Sequence, residues 1–362
     1  MITLQKDFEL PDAYPLTRIA DPAEILFFDI ETTGFSGDYA MVYLIGCTWY
    51  AENSWHFIQW FAEQPEDETE LLHAFFSFLK SYRVLVHFNG DRFDIPFLLK
   101  RCAFHGLSYS FDHLNSIDIY RKIKPFKQLL QLDSLKQKSM EQFLSISRED
   151  RYSGGQLIEV YEEYLHSHDA FLLRLLLLHN EDDLKGMPAI LPILHYPDFF
   201  QADFALREQR LREIPDLFGE TEKQLVLTFE SSVTIPVPFE AEQGLFHIEA
   251  SGNILTLSIS LFEGELKHFY PDYQNYVYLI YEDQAVHKSV GQYVDKTAKK
   301  KATARTCYSK SSGLFLPQPA ELFTPVLKKE YKEKLLFTPY SESLFHDPHV
   351  AEAYRKEVLT LF

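Results

Sequence analysis

A chain of 362 residues, 46% hydrophobic and 24% charged, is long enough to bury a large core and too apolar for a disordered protein. Three scattered cysteines, Cys47, Cys102 and Cys307, exclude a disulfide scaffold or a cysteine metal cage, and the most apolar stretch, residues 171–178, contains Arg174 and is too short for a membrane span. The net charge is −18, and the first six residues show no secretory pattern, so a cytoplasmic location without membrane association is expected.

Residues 25–30 form a near-continuous apolar run, as expected of a strand buried on both faces. Two further strands are expected at 41–50 and 54–61, the second alternating polar and apolar residues. A helix over 66–80 leads to a strand at 84–88 that stops at Asn89-Gly90, and the next helix is expected from about 94 to 105. Residues 116–120 read as a short strand. From 127 to 164 the pattern is helical and polar, with a break at Ser153-Gly154-Gly155. A long helix is expected from 169 to about 186, with Ser167 and Asp169 as capping candidates. Strands alternating with helices indicate an α/β layer fold.

Pro192 and Pro197 close this part, and residues 201–222 read as a polar connector. Short strands are then expected at 223–232, 244–250, 253–261 and 276–282. A hairpin is expected from 302–308 and 314–316 across Ser311-Ser312-Gly313, with helices near 328–334 and 350–361. The expected organisation is a first domain over 1–195, a linker over 196–222 and a mainly antiparallel β module over 223–362.

Three acidic clusters stand out in the first part. In Asp29-Ile30-Glu31-Thr32-Thr33-Gly34, two carboxylates project to one face at the end of a buried strand. Their repulsion and desolvation are costly unless a cation neutralises them. In Asn89-Gly90-Asp91-Arg92-Phe93-Asp94, the last acid begins a helix after a strand and a glycine turn, where helix capping alone would also explain it. In His179-Asn180-Glu181-Asp182-Asp183, His179 and Asp183 lie four apart on one helical face. A structural His–Asp pair would explain that cluster on its own.

Together the clusters resemble the three motifs of the DEDD superfamily of 3′–5′ exonucleases, which have an RNase H-like fold. The Asp-Ile-Glu-Thr start and the Asn-x-x-x-Phe-Asp motif look most like the proofreading domains of family B DNA polymerases and related stand-alone nucleases of bacteria. The likeness spans residues 25–191. It implies an RNase H-like mixed sheet flanked by helices. It also implies that Asp29, Glu31, Asp94 and Asp183 bind two divalent ions, Mg²⁺ or Mn²⁺, in a two-metal hydrolysis of phosphodiester bonds at a single-stranded 3′ end of DNA or RNA. Thr32, Phe35, Asn89 and Phe93 would contact the terminal nucleotide. The sequence departs from the family at one point: His179 stands four residues before Asp183, where the Y-type branch has tyrosine and the H-type has its histidine five before. His179 is therefore expected to replace that tyrosine and act on the attacking water.

Residues 223–345 hold 13 Lys/Arg and 14 Asp/Glu, so nearly all the net negative charge lies elsewhere. Residues 288–310 carry seven Lys/Arg against the single acid Asp295, and residues 270–308 hold seven tyrosines. A solvated basic face and half-buried sheet tyrosines are the plain explanation; phosphate gripping and base stacking are the functional one.

Overall fold

Residues 1–11, 14–147, 154–215 and 221–362 are described by the computed structural model, in which the chain divides into two units, Met1–Phe200 with Ile235–Val237 and Gln201–Thr234 with Pro238–Phe362. In the first unit, β1 (Ile2–Phe8), β2 (Ile25–Thr32), β3 (Val42–Ala51), β4 (Ser54–Phe61), β5 (Val84–His87) and β6 (Asn115–Asp118) form one sheet in the order β1-β4-β3-β2-β5-β6. It is mixed: β2 runs antiparallel to β3 and parallel to β5. The helices are α1 (Glu68–Leu79), α2 (Asp94–Phe104), α3 (Ile119–Ile123), α4 (Gln137–Phe143), α5 (Gly154–Ser167), α6 (Ala170–Ala189) and α7 (His195–Gln201). This is the α/β, RNase H-like arrangement that the sequence implied.

The apolar run of β2 lies buried from Ile25 to Phe28. The high aromatic content fills the core around it: Tyr43 stacks on Tyr161 at 4.1 Å, Phe76 on Tyr109 at 4.4 Å and Phe28 on Phe75 at 5.6 Å. Glu52 and Asn53, at φ 50° and 64°, make the two-residue turn that matches the twist of β3 and β4. Buried Glu68 ties three elements together, accepting hydrogen bonds from Arg101 Nε (2.8 Å) and Nη2 (2.6 Å) on α2 and from the Val42 N–H (2.8 Å) on β3.

Several expectations need correction. β1 was not foreseen; it is a half-exposed edge strand on β4 whose only cue is a short alternation. The strand expected at 116–120 ends at Asp118, where Asp118 Oδ1 accepts the Arg121 N–H (3.3 Å) and turns the chain into α3. Within 127–164 the described residues are helical in α4 and α5, with turns between 127 and 136. Ser153 of the expected break lies outside the described residues, while Gly154 and Gly155 open α5. Asp169 does cap α6, accepting the Phe171 N–H at 2.7 Å, and the helix continues past Gly186 to Ala189.

The second unit contains β7 (Phe204–Pro215), β8 (Thr221–Ser231), β9 (Phe239–Gln243), β10 (Phe246–Ser251) and β11 (Ile254–Ser260), an antiparallel sheet in the order β7-β8-β11-β10-β9. β12 (Phe262–Phe269) pairs with β16 (Tyr308–Gln318), and β16 with β17 (Leu336–Pro339). A third sheet has β13 (Tyr276–Leu279) between β14 (Gln284–His287) and β15 (Lys299–Lys301). Among its described residues the helices are α8 (Lys288–Gly291) and α9 (Pro348–Leu359). The mainly antiparallel character was expected; β9, β12, β14, β15 and β17 were not, and three expectations need correction. Residues 204–215 form an edge strand rather than a connector, and as an edge strand with mostly exposed side chains β7 has the polar composition of a linker. The expected hairpin at 302–316 is replaced by the continuous strand β16, with Gly313 opposite Gly264 rather than in a turn. No helix forms at 328–334; Lys328 and Leu327 make bridges to Lys267 and Phe337. Its alternating Lys and Glu lack an apolar face to bury.

Candidate active site

The alternation of β2 projects Asp29 and Glu31 to one face, and antiparallel pairing sets them opposite Gly46 and Leu44 of β3. Helix α6 crosses this face and brings His179 and Asp183. His179 Nε2 lies 3.6 Å from Glu31 Oε1 and 3.5 Å from Asp183 Oδ2. Ligand atoms of Glu31, His179 and Asp183 all lie within 4.8 Å of one another, a spacing that suits a cation. Asp94 enters from the first turn of α2 and is 6% exposed.

The acids also act on one another electrostatically. Burial raises the Asp29 carboxyl well above its usual range, and Asp183, Glu31 and Asp94 push it further, against one hydrogen bond from Asn180. Burial also pushes Asp94 up to about 7, with Asp118 and Asp183 adding to the shift and backbone hydrogen bonds at Asp94 and Ile30 opposing it. Glu31, His179 and Asp183 thus meet directly, and Asp29 and Asp94 join them through charge interactions.

Residues 26–194 match the family model of the RNase H superfamily. This segment, under half of the chain, is similar to RNase H superfamily domains. A 44-residue stretch is 52% identical to the catalytic polypeptide of DNA polymerase epsilon from Schizosaccharomyces pombe, covering 12% of this chain and 2% of that protein. Among solved structures, the family B DNA polymerase of the archaeon Pyrobaculum calidifontis aligns with a TM-score of 0.39 and 13% identity, over 69% of this chain and 35% of that one. Product-bound exonuclease I aligns with a TM-score of 0.33 and 10% identity, over 57% and 58%. The chain therefore spans less than two thirds of each of these relatives.

The other residues singled out from the sequence have different surroundings. Thr32 Oγ1 donates to the Gly34 carbonyl (2.8 Å), which fixes the start of the loop carrying Phe35, a ring 83% exposed. Asn89 takes a left-handed φ of 63° and donates its N–H to Asp118 Oδ1 (2.9 Å). Phe93 packs on the core and against Phe97 at 5.6 Å.

Two polar residues escaped the sequence reading. Asn180, fully buried, donates from Nδ2 to Asp29 Oδ2 (2.8 Å) and accepts at Oδ1 from Gln59 Nε2 (2.8 Å). Asp29, Gly46 and Gln59 are register partners across β2, β3 and β4, and Asn180 lies over the glycine, bonded to both neighbours. A methyl group at position 46 would run into Asn180 Oδ1 and Leu184 Cδ1, so glycine admits α6 to the sheet here. Gln59 reads as an outward polar residue of an alternating strand, yet it is buried; only its helix partner explains it.

A second grouping, His87, Asp91 and Asp118, also has ligand atoms within 4.8 Å. His87 Nδ1 accepts the Gly90 N–H (3.0 Å), which leaves Nε2 as the protonated nitrogen facing Ser116 Oγ (2.7 Å). Arg121 Nη1 donates to Asp91 (2.6 Å). That pattern is a brace for the loop leading to Asp94 rather than a metal cage. Among the described residues, no helix is long and apolar enough to cross a membrane.

Proposed function

We propose that this chain is a metal-dependent 3′–5′ exonuclease that shortens single-stranded DNA or RNA. The observation that carries the reading is the convergence of Asp29, Glu31, Asp94 and Asp183 in one cluster, where burial first and the three other carboxylates next raise Asp29. Such a set of hard oxygen donors suits two divalent ions, Mg²⁺ or Mn²⁺, which when bound would offset charge on the scissile phosphate and the leaving 3′ oxygen. Asp29 and Glu31 would hold one side of the cluster and Asp94 and Asp183 the other. His179 Nε2 would accept a proton from the attacking water, with Glu31 and Asp183 balancing the charge the ring then carries. Thr32, Phe35, Asn89 and Phe93 would line the path of the terminal nucleotide.

The test is a time course on 5′-labelled single-stranded DNA and RNA with Mg²⁺, Mn²⁺ or EDTA. The reading requires a metal-dependent ladder of shortening products that is absent in the Asp29→Ala/Glu31→Ala variant. Cleavage of circular strands would replace it with an endonuclease. Activity that survives in the double variant, or no cleavage with either metal, would end the catalytic assignment.

A further inference from the structure

The second unit carries an open groove of about 940 Å³ whose walls include Phe269, Tyr270, Tyr273, Lys328 and Tyr331, near the top of the range of about 300–1,000 Å³ for ligand clefts. Tyr273 and Tyr331 are 36% and 41% exposed. Isolated exposed rings are ordinary on a protein surface. These two line one groove over an aromatic floor that is held in place. Tyr331 packs edge-on against Phe269 at 5.4 Å, Tyr270 stacks on Tyr276 at 4.8 Å, and the Tyr270 hydroxyl donates to Ser309 (3.0 Å). A floor fixed in this way presents π-faces with little ordering cost to a flat ligand.

The charge around the groove selects the kind of flat ligand. Ala304 on its wall belongs to residues 296–305, which hold five Lys/Arg and no acid. Lys328 and Tyr331 belong to residues 328–334, with four Lys and two Glu. Lys267 and Lys310 are discounted, because Glu330 engages the first (2.7 Å) and Glu265 and Asp283 the second. Glu321 is the one acid among the described lining residues. Lys328 is the one Lys or Arg among them, so the cationic character comes from the flanking 296–305 and 328–334 segments, which in a chain of net charge −18 complement a polyanion rather than an apolar peptide.

We propose that this groove binds unpaired nucleic acid, with bases stacking on Tyr273 and Tyr331 and phosphates drawn to Lys328 and the 296–305 segment. The choice of a polynucleotide rests on the exonuclease reading of the first unit; the aromatic and cationic surface does not.

The full chain is titrated in EDTA, where metal-dependent cleavage is off, with a fluorescent oligothymidylate followed by anisotropy. Tyr273→Ala and Tyr331→Ala should each weaken binding about 5- to 100-fold, as loss of one stacked base does, while Tyr273→Phe and Tyr331→Phe keep it. Lys328→Ala should lower the slope of log K against log salt by about one. If the exonuclease reading holds, the alanine variants raise KM for long single strands, leave kcat unchanged, and cleave a mononucleotide ester as the parent does. Alanine variants that bind as tightly as the parent, or a parent that binds no oligonucleotide, overturn the groove even if exonuclease activity is intact. Binding that depends on the two tyrosines in a protein without metal-dependent cleavage supports the groove and removes the exonuclease reading alone.

Discussion

Raising the pH of the metal-free protein should make the first unit easier to unfold. Burial pushes the Asp94 carboxyl from the ordinary 3.8 up to about 7, and Asp29 moves in the same direction. A carboxyl whose pKa is higher in the folded state adds stability that is fully present below the unfolded value and is lost as pH rises through the folded one. For Asp94 that window runs from about 4 to about 7. The part lost between pH 5 and pH 8 is on the order of 3 kcal/mol, taking about 1.4 kcal/mol per pKa unit. In a unit of this size that is roughly 5–10 °C in Tm. The assay is calorimetry in EDTA across pH 5 to 8, on the parent and Asp94→Asn, whose side chain cannot ionise. The parent should lose Tm faster than the variant as pH rises, and Mn²⁺ at pH 8 should restore the parent more than the variant. Parallel curves in EDTA would refute the claim that burial holds this carboxyl protonated. An equal Mn²⁺ effect on both proteins would refute its place at a cation site.

Asn180→Ala should leave the fold intact and cut cleavage about 10- to 100-fold, the usual cost of removing a partner that orients a ligand; kcat and the Mn²⁺ dependence of cleavage measure it, and unchanged values would make the Asn180–Asp29 hydrogen bond incidental. Gly46→Ala forces a methyl group into Asn180 and Leu184 and should cost about 1–3 kcal/mol by overpacking. Urea unfolding reads that cost, and a stability equal to the parent's would show that α6 has room to move. Arg101→Met strands the buried Glu68 carboxylate and should cost about 3–5 kcal/mol, visible in the same urea titration; a loss below 1 kcal/mol would mean that His105, 2.7 Å from Glu68, suffices as partner.

The acids of the site were legible because each sits at a junction the sequence marks: a buried strand's end, a strand–glycine–helix turn, and a helical i, i+4 pair. Their convergence was implied by the resemblance to the DEDD exonucleases, which their order and spacing carried. Asn180 and Gln59 were not legible, because each needs the other to be satisfied and they are 121 residues apart. The same holds for His87, whose role depends on Gly90 and Ser116 rather than on any local pattern. In the second unit, β8, β10 and β11 were readable from alternating burial. β7 and β16 were not. A polar edge strand resembles a linker, and Ser311-Ser312-Gly313 resembles a turn until Gly264 supplies the facing position. Sequence pattern reports what a residue buries, and edge strands bury little.

A chain of net charge −18 acting as the proposed exonuclease would work against its own field. Distant acids matter little at physiological salt, where screening acts over about 8 Å. The acids that oppose a phosphate are the four at the cluster itself, and two divalent cations would balance them. Substrate contact at this cluster should therefore require a cation even where no bond is broken, whereas the tyrosine groove of the second unit, with Lys328 on its wall, should not. Ca²⁺ offers a way to separate the two contributions, since a hard cation can fill oxygen sites while supporting cleavage poorly. In the Tyr273→Ala/Tyr331→Ala variant, the oligonucleotide binding that remains should appear on adding Ca²⁺ and vanish in EDTA. In Asp29→Ala/Glu31→Ala, binding should be indifferent to Ca²⁺. If both variants respond to Ca²⁺ alike, the cation is not acting through the four carboxylates, and the charge argument fails with it.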